Sequence, residues 1–339
     1  MVDQSSKTAN DVRSAATSSP ARQFECCACG GSRYEAFLDD VPDRLGVTGT
    51  THRYVQCQDC QLVALFPRPS FDETAAFYPR SFWRAGSSQV SSSPAKRAEA
   101  WFRERLVLAD FSYVRDHFRP GLRHLDVGCA TGDFMVLCQS CGVLSKGIEL
   151  SAVAAEHCRS ERGLDVVAGD LVTHDFQAQD FDIITYNGVL EHLPDPRAHL
   201  LKCRHLLRAG GKLIVLGLPN IKAAGFRLAR RAWIGLDAPR HIHQFSRTTA
   251  TRLLEAGGFQ VLQTIEASPR FNPPSLVASV LPALHRHQFD ALEARTGRNP
   301  LARKALLLAL LQAVRPVDSL LCRVGLSEHM TFIAEPKGS

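Results

Sequence analysis

The chain has 339 residues, a formal net charge of +6 and 45% hydrophobic residues. This length exceeds that of one ordinary domain, and the hydrophobic share, together with 22% charged residues, argues against wholesale disorder. The modest charge neither requires nor excludes an anionic partner. Eleven cysteines, an odd number, are typical of a reducing compartment and not of a disulfide framework.

Residues 1–22 are polar and lack the apolar stretch of a secretory signal, so we interpret them as a disordered tail. No apolar run in the sequence reaches the length that is needed to cross a bilayer. We therefore expect a cytoplasmic protein without a transmembrane segment.

Two C-x-x-C pairs within residues 23–70 predict a zinc-ribbon module. The first pair is Cys26 and Cys29, and the second is Cys57 and Cys60. Paired cysteine knuckles of this kind are typical of a tetrahedral Cys₄ zinc site. Because four protein ligands leave no open coordination position, we predict that a zinc ion has a structural role here.

Three other cysteines are not predicted to bind metal. Cys27 is too close to Cys29 to form a second knuckle with it. Cys138 and Cys141 form a third C-x-x-C pair, but they lie on a predicted helix and have no partner pair. We expect these two side chains to pack in the core.

Residues 71–118 are predicted to form a linker and lid helices. The serine-rich stretch 87–93 is typical of a flexible linker. Ser93 and Pro94 then provide the N-cap and first position of a helix.

The most informative segment comes next, in residues 123–134. Residues 124–127 have the pattern of a buried parallel strand, Gly128 and Gly132 permit a tight turn, and Asp133 begins an apolar-periodic helix. We therefore expect a nucleotide-like ligand over this turn, at the carboxyl edge of a sheet.

The turn does not have the G-x-G-x-x-G spacing of dinucleotide sites. Counting from Gly128, Ala130 and Asp133 occupy the positions where that pattern requires glycine. Asp126 and Asp133 would repel a pyrophosphate, but they suit a ligand that carries a sulfonium and an amino group. S-adenosylmethionine is such a ligand. Ala130 fits the turn if its φ angle is negative.

Further landmarks follow the turn in order. The predicted second strand ends at Glu149, about 20 residues beyond Gly128, where Rossmann-type sites place an acid. The landmarks are residues 146–151, 165–171, 181–196 and 205–220. With this series the chain resembles the class I S-adenosylmethionine-dependent methyltransferases.

The resemblance implies an α/β fold, a doubly wound, Rossmann-like seven-stranded sheet with a small N-terminal zinc ribbon. It implies a core at residues 119–268, a helical insertion at 269–327, and the last strand with the C-terminus at 328–339. It also implies that Glu149 binds the ribose hydroxyls and Asp170 the adenine amino group. The implied cofactor-binding residues are Asp126, Gly128, Ala130, Gly132, Phe134, Glu149, Leu150, Asp170, Leu171, Asn187 and Glu191.

The insertion contains two apolar stretches, 301–314 and 319–324, separated by Arg315 and Pro316. We predict a helical hairpin, since proline interrupts a helix and each stretch is too short to span a membrane. Its apolar surface would be buried, form a dimer face or contact a membrane peripherally, and the oligomeric state is left open.

Three histidines are candidates for a general base. Residues 233–246, after the fifth strand, are expected to close over the methyl acceptor, and they contain His241 and His243. His192 follows the fourth strand. We rank His241 first because the adjacent Arg240 would keep it unprotonated, His192 second and His243 third.

The sequence thus favours methyl transfer from S-adenosylmethionine to a hydroxyl of a small-molecule or carrier-linked sugar or natural-product acceptor. A zinc-ribbon RNA base methyltransferase is an alternative, although the small net charge does not indicate the basic, aromatic-lined channel that an RNA base needs. A non-catalytic binding or assembly protein on the same fold is the other alternative.

Overall fold

The computed structural model describes residues 23–78, 105–281 and 300–338, with side chains for all of these except Ala75 and residues 300–308. The predicted tail at 1–22 and the serine-rich linker at 87–93 lie outside the described residues.

Two groups of elements make up the described chain. The first group, near the start, contains strands β1 (Tyr34–Pro42), β2 (Thr51–Cys57) and β3 (Val63–Leu65) and the short helix α1 (Phe71–Ala75). The strands of the second group are β4 (Arg123–Val127), β5 (Leu144–Glu149), β6 (Asp165–Ala168), β7 (Phe181–Asn187), β8 (Leu207–Pro219), β9 (His243–Gln244), β10 (Phe259–Ile265) and β11 (His329–Pro336). Its helices are α2 (Asp133–Ser140), α3 (Ala152–Arg162), α4 (Pro196–Leu206), α5 (Ala224–Ala229), α6 (Arg247–Ala256), α7 (Asn272–Val280) and α8 (Pro300–Arg323).

Seven strands form the main sheet, in the order β10-β11-β8-β7-β4-β5-β6. The neighbours from β8 to β6 are parallel, whereas β11 is antiparallel to both β8 and β10. From β4 the chain first builds outward to β5 and β6, and then returns to the other side of β4 with β7. The carboxyl ends of β4 and β7 therefore flank the switch point at which open α/β sheets bind ligands. The predicted seven-stranded, Rossmann-like fold is confirmed.

The cysteine-containing module and the main sheet share one structure and are not separate units. Strand β9, which lies inside the predicted core domain, pairs with β3, so that His243 lies opposite Ala64. Phe24 and Leu62 of the module belong to the same buried apolar cluster as Leu125 of the main sheet. Burial of apolar surface therefore stabilises both parts together.

The predicted helical hairpin is wrong, because α8 is a single helix that continues through Pro316. Proline has no N–H to donate to the carbonyl four residues earlier, but one lost hydrogen bond does not end a helix that tertiary packing holds. Here α8 packs against α7. The side chains of Val317 and Leu320 are exposed on its outer side.

Among the described residues, no helix has both the length and the apolar character that a membrane span requires.

Tyr54 offers a test of the contact between the module and residues 233–246. Its buried hydroxyl donates to the carbonyl of His241 at 2.7 Å and also lies 2.9 Å from the carbonyl of Leu236. Tyr54→Phe should lower the free energy of unfolding by roughly 1–3 kcal/mol, since a buried carbonyl loses its donor. Urea unfolding measures this. Tyr34→Phe is the matched control, since Tyr34 is 42% exposed; an equal loss in both variants would contradict the prediction.

Candidate active site

The turn after β4 has the left-handed backbone that its glycines allow. Gly128 has a φ of 71° and Gly132 a φ of 76°. A Cβ atom on Gly128 would lie 2.7 Å from Cγ2 of Val189, so the turn lies directly against the segment that follows β7. Ala130 has a φ of 49°, which corrects the expectation of a negative angle. An L-residue in this region is strained by roughly 1–2 kcal/mol.

Glu149 holds this turn in place from the end of β5. Its Oε2 accepts a hydrogen bond from the amide of Ala130 at 2.9 Å, and its Oε1 accepts one from the amide of Ser151 at 2.8 Å. The residue is 3% exposed, and burial raises the pKa of its carboxyl group. Each carboxylate oxygen has a second lone pair, so both backbone contacts are compatible with two further bonds to ribose hydroxyls.

Asp126 points into the sheet and not across the turn. Its Oδ1 accepts a hydrogen bond from Thr185 Oγ1 at 2.6 Å, and that hydroxyl is 2.8 Å from Nε2 of His124. Burial raises the pKa of Asp126 to about 7. Asp133, by contrast, is exposed and forms an ion pair with Arg162 at 2.6 Å. The two acids therefore contribute less negative charge to the turn than the sequence suggests.

The other predicted cofactor residues lie along the same edge of the sheet. Asp170 follows β6, and its Oδ1 is 3.3 Å from Nε2 of His199. Phe134 and Asn187 line one pocket at the carboxyl ends of β7 and β8. Leu150 is 46% exposed and Leu171 is buried.

A second group of side chains lies beside the turn. Glu191 and His192 follow β7, and His241 comes from the segment before β9. One ring nitrogen of each histidine and a carboxylate oxygen of Glu191 lie within 4.8 Å of one another. Nε2 of His192 is 3.9 Å from Oε1 of Glu191. We call these three residues the Glu-His-His cluster.

Backbone carbonyls fix the orientation of both imidazoles in this cluster. Nδ1 of His192 is 3.0 Å from the carbonyl oxygen of Arg240, and Nδ1 of His241 is 2.8 Å from that of Gly235. A carbonyl only accepts hydrogen bonds, so each Nδ1 carries the proton and each Nε2 keeps its lone pair. The hydroxyl of Tyr78 also lies 3.1 Å from Nδ1 of His192.

Burial keeps the two imidazoles neutral. It lowers the pKa of His192 to about 3 and also lowers the pKa of His241. The sequence attributed the low pKa of His241 to Arg240, but burial is the larger cause. Burial acts in the opposite direction on Glu191 and raises its pKa to about 8.

Arg240 is instead part of a buried ion cluster. Its Nε and Nη2 donate to the two carboxylate oxygens of Asp237 at 2.9 and 2.8 Å. Its Nη1 donates to Asp43, in the loop between β1 and β2, at 3.0 Å. The side chains of Arg240 and Asp43 are each 1% exposed.

His243 lies apart from the other two candidate bases. Its Nδ1 is 3.7 Å from Sγ of Cys27, in the interface between the module and the main sheet. The imidazole is 1% exposed and is not a member of the Glu-His-His cluster.

The four predicted zinc ligands come together at one end of the module. The Sγ atoms of Cys26, Cys29, Cys57 and Cys60 all lie within 4.8 Å of one another. The Cys26–Cys60 pair is separated by 3.4 Å and the Cys29–Cys57 pair by 3.6 Å. Cys138 is buried in the core, as expected, and Cys141 packs beside the same apolar cluster.

The model of the Methyltransferase domain family matches residues 95–264, half of the chain. The chain belongs to the class I S-adenosylmethionine-dependent methyltransferases. Ubiquinone biosynthesis O-methyltransferase from Coxiella burnetii is 28% identical over 152 residues, which cover 42% of this chain and 65% of that enzyme, slightly less than two thirds of its length. The enzyme of the same name from Aromatoleum aromaticum is 29% identical over 171 residues, 47% of this chain and 72% of that one. The solved structure of geranyl diphosphate C-methyltransferase from Streptomyces coelicolor is 17% identical, with a TM-score of 0.47, and the match covers 74% of this chain and 86% of that one.

Several contacts around the Glu-His-His cluster have no signal in the sequence. Asp43 is 197 residues from Arg240 along the chain, and no motif links them. Tyr78 lies 114 residues before His192. Such contacts depend on how the module docks on the main sheet, which a local pattern does not report.

Substitution of Glu149 tests the predicted cofactor-binding site most directly. Glu149→Gln should weaken S-adenosylhomocysteine binding by roughly tenfold or more, because a charge-assisted hydrogen bond contributes about 1.5–3 kcal/mol. Calorimetry measures the affinity, and circular dichroism checks the fold. The control is Glu156→Gln on α3, where the carboxylate is 64% exposed. Unchanged affinity in the Glu149 variant would remove this residue from the cofactor site.

Proposed function

We propose that this protein transfers the methyl group of S-adenosylmethionine to a hydroxyl oxygen of a small-molecule or carrier-linked acceptor, such as a sugar or natural product. The observation that carries the proposal is the contact of the glycine turn with Val189, two residues before Glu191. This contact supports the proposal because it brings the glycine turn, where we propose that the cofactor binds, against the segment that carries Glu191 and His192. The names of the Coxiella and Aromatoleum relatives support oxygen as the accepting atom.

The cofactor, when bound, supplies an electrophilic methyl group on a sulfonium that is already a good leaving group. Glu149 and Asp170 would hold its ribose and adenine, and Phe134 and Asn187 would line the adjacent pocket. Holding the acceptor at near-attack distance in a water-excluded site supplies most of the rate enhancement that such a reaction needs.

An oxygen acceptor must also lose its proton during or before attack. We propose that Nε2 of His241, or secondly that of His192, takes this proton, because both lone pairs are free and burial keeps both rings neutral. The oxygen–methyl bond then forms as the sulfur–methyl bond breaks, and the products are the methyl ether, S-adenosylhomocysteine and one proton. His243, in contact with Cys27, has no part in this step.

We propose that the four clustered cysteines bind a structural zinc ion. In a tetrahedral site with Zn–S bonds of about 2.3 Å, the sulfur atoms are about 3.8 Å apart. The separations of 3.4 and 3.6 Å across two of the pairs are close to this value. The amide of Gly31 also donates to Sγ of Cys29 at 3.4 Å, a contact that stabilises a thiolate ligand.

The function is tested with S-adenosylmethionine that carries a ¹³C-methyl group, incubated with the full-length protein and a small-molecule extract of cells. We expect a labelled product whose methyl carbon is bonded to oxygen, as nuclear magnetic resonance can show. A label on nitrogen or carbon, or no labelled product from protein that binds S-adenosylhomocysteine, would contradict the proposal.

The zinc assignment predicts one zinc ion per chain by metal analysis. Cys57→Ser should lose it, whereas Cys141→Ser should keep it, since Cys141 is distant from the four ligands in the fold. Because β3 pairs with β9, loss of zinc should also perturb residues 237–243 and increase their amide hydrogen exchange. A zinc content in the Cys57 variant equal to that of the unaltered protein would refute the four-cysteine site.

The base assignment predicts that His241→Gln lowers turnover by roughly a hundredfold or more, with unchanged S-adenosylhomocysteine affinity. The matched control, His243→Gln, changes a buried imidazole two residues away. Because a base acts in its neutral form and burial lowers the pKa of His241, the rate should stay level as the pH falls to 6.5 and decline only below it. A rate that already declines above pH 6.5, or a control with the larger loss, would show that another group is the base.

A further inference from the structure

The Glu-His-His cluster has the composition and the orientation of a metal-ligand set. We infer that Glu191, His192 and His241 bind one divalent transition-metal cation, at a site separate from the four cysteines. The inference deepens the proposed function, but the binding site itself is argued from geometry alone.

The three donor atoms already converge. They lie within 4.8 Å of one another, and Nε2 of His192 is 3.9 Å from Oε1 of Glu191. Ligands of one cation at bond lengths of about 2.0–2.2 Å lie roughly 3–3.5 Å apart. The separations in the structure exceed these values by roughly 1 Å, and we infer that small movements of the three side chains close this difference when a cation binds.

Both imidazoles are oriented as metal ligands usually are. A ligating histidine donates its other ring N–H to a carbonyl or carboxylate, which fixes the tautomer and aims the lone pair. The carbonyl of Arg240 accepts such a hydrogen bond from His192, and the carbonyl of Gly235 accepts one from His241. Arg240, which carries one of these carbonyls, is itself held by its ion pair with Asp237.

An independent observation comes from the carboxylate. Glu191 is 2% exposed, and among the described residues no donor reaches its Oε2. Burying a carboxylate oxygen without a hydrogen-bond donor costs free energy. A bound cation is one of the few partners that can offset this cost. A cation that Glu191 binds through both carboxylate oxygens, Oε1 toward His192 and the unpaired Oε2, would remove this cost.

The donor set indicates which cation fits. Two imidazoles and one carboxylate suit Mn²⁺, Fe²⁺, Co²⁺ or Zn²⁺, whereas Mg²⁺ and Ca²⁺ prefer all-oxygen sites. Three protein ligands leave coordination positions open. The acceptor class that fills them best carries two adjacent oxygen atoms, such as a vicinal diol or a hydroxy-ketone.

This step rests on the proposed function, methyl transfer to a hydroxyl oxygen. In that reaction the cation would change how the acceptor loses its proton. A hydroxyl that binds a divalent cation has a lower pKa, so its proton passes to water before the methyl transfer. The resulting alkoxide forms the new oxygen–methyl bond as the sulfur–methyl bond breaks. In the cation-bound protein the two histidines act as ligands and not as the base, and their loss still lowers turnover by roughly a hundredfold or more.

The test uses full-length protein that holds one equivalent of zinc per chain, enough for the four cysteines only, and Mn²⁺ alone as the probe, with free Mn²⁺ measured by electron paramagnetic resonance. We expect one Mn²⁺ per chain in addition to the zinc, and binding weakened by roughly tenfold or more in both Glu191→Gln and His241→Ala. His243→Asn is the matched control and should bind Mn²⁺ normally. No Mn²⁺ binding by the zinc-loaded protein, or equal binding by all variants, overturns the inference.

A second measurement separates this inference from the proposed function. Zinc-loaded protein freed of other metals should lose most of its turnover and regain it when Mn²⁺ is added. Full turnover without Mn²⁺ overturns the inference and leaves oxygen methylation standing. Specific Mn²⁺ binding by a protein that forms no methylated product supports the site and refutes the proposed function instead.

Discussion

The arrangement of the Glu-His-His cluster depends on the buried guanidinium of Arg240. Taking this charge and its two carboxylate partners out of water is costly, and the cost is offset only when every donor is paired. Asp237 supplies a bidentate partner within the same loop, and Asp43 supplies the third contact from the cysteine-containing module. The pairing is complete only when the module and residues 233–246 meet in one arrangement.

This ion cluster is connected to the Glu-His-His cluster through backbone hydrogen bonds. The amides of Arg240 and His241 donate to the carbonyl of Asp237, so the turn that carries His241 is closed by the same residue that holds the guanidinium. The carbonyl of Arg240 in turn lies 3.0 Å from Nδ1 of His192. One residue therefore links the module, residues 233–246 and the segment after β7. The module contributes to the site by positioning, although none of its cysteines belongs to the Glu-His-His cluster.

Burial has opposite effects within the cluster. It keeps His192 and His241 neutral, which gives both rings a free lone pair, and it raises the pKa of Glu191. The same desolvation leaves one oxygen of Glu191 without a donor among the described residues. The glycine turn after β4 differs, because the buried Glu149 beside it is satisfied by two backbone amides. One of them belongs to Ala130, and this charge-assisted bond offsets the strain of its positive φ.

The sequence by itself determined the features that are local. Hydrophobic periodicity and glycine spacing predicted the strand, turn and helix at residues 123–134, and the series of landmarks carried the family resemblance that implied the seven-stranded sheet, because each pattern depends on neighbours along the chain. The continuation of α8 through Pro316, the φ of Ala130 and the separation of His243 from His241 were decided only by tertiary structure. His243 lies two residues from His241, yet β9 pairs with β3 and carries it to Cys27. The partnership of Asp43 with Arg240 spans 197 residues. Its free energy comes from burying opposite charges together, which depends on how two sheets pack and on no short segment of sequence.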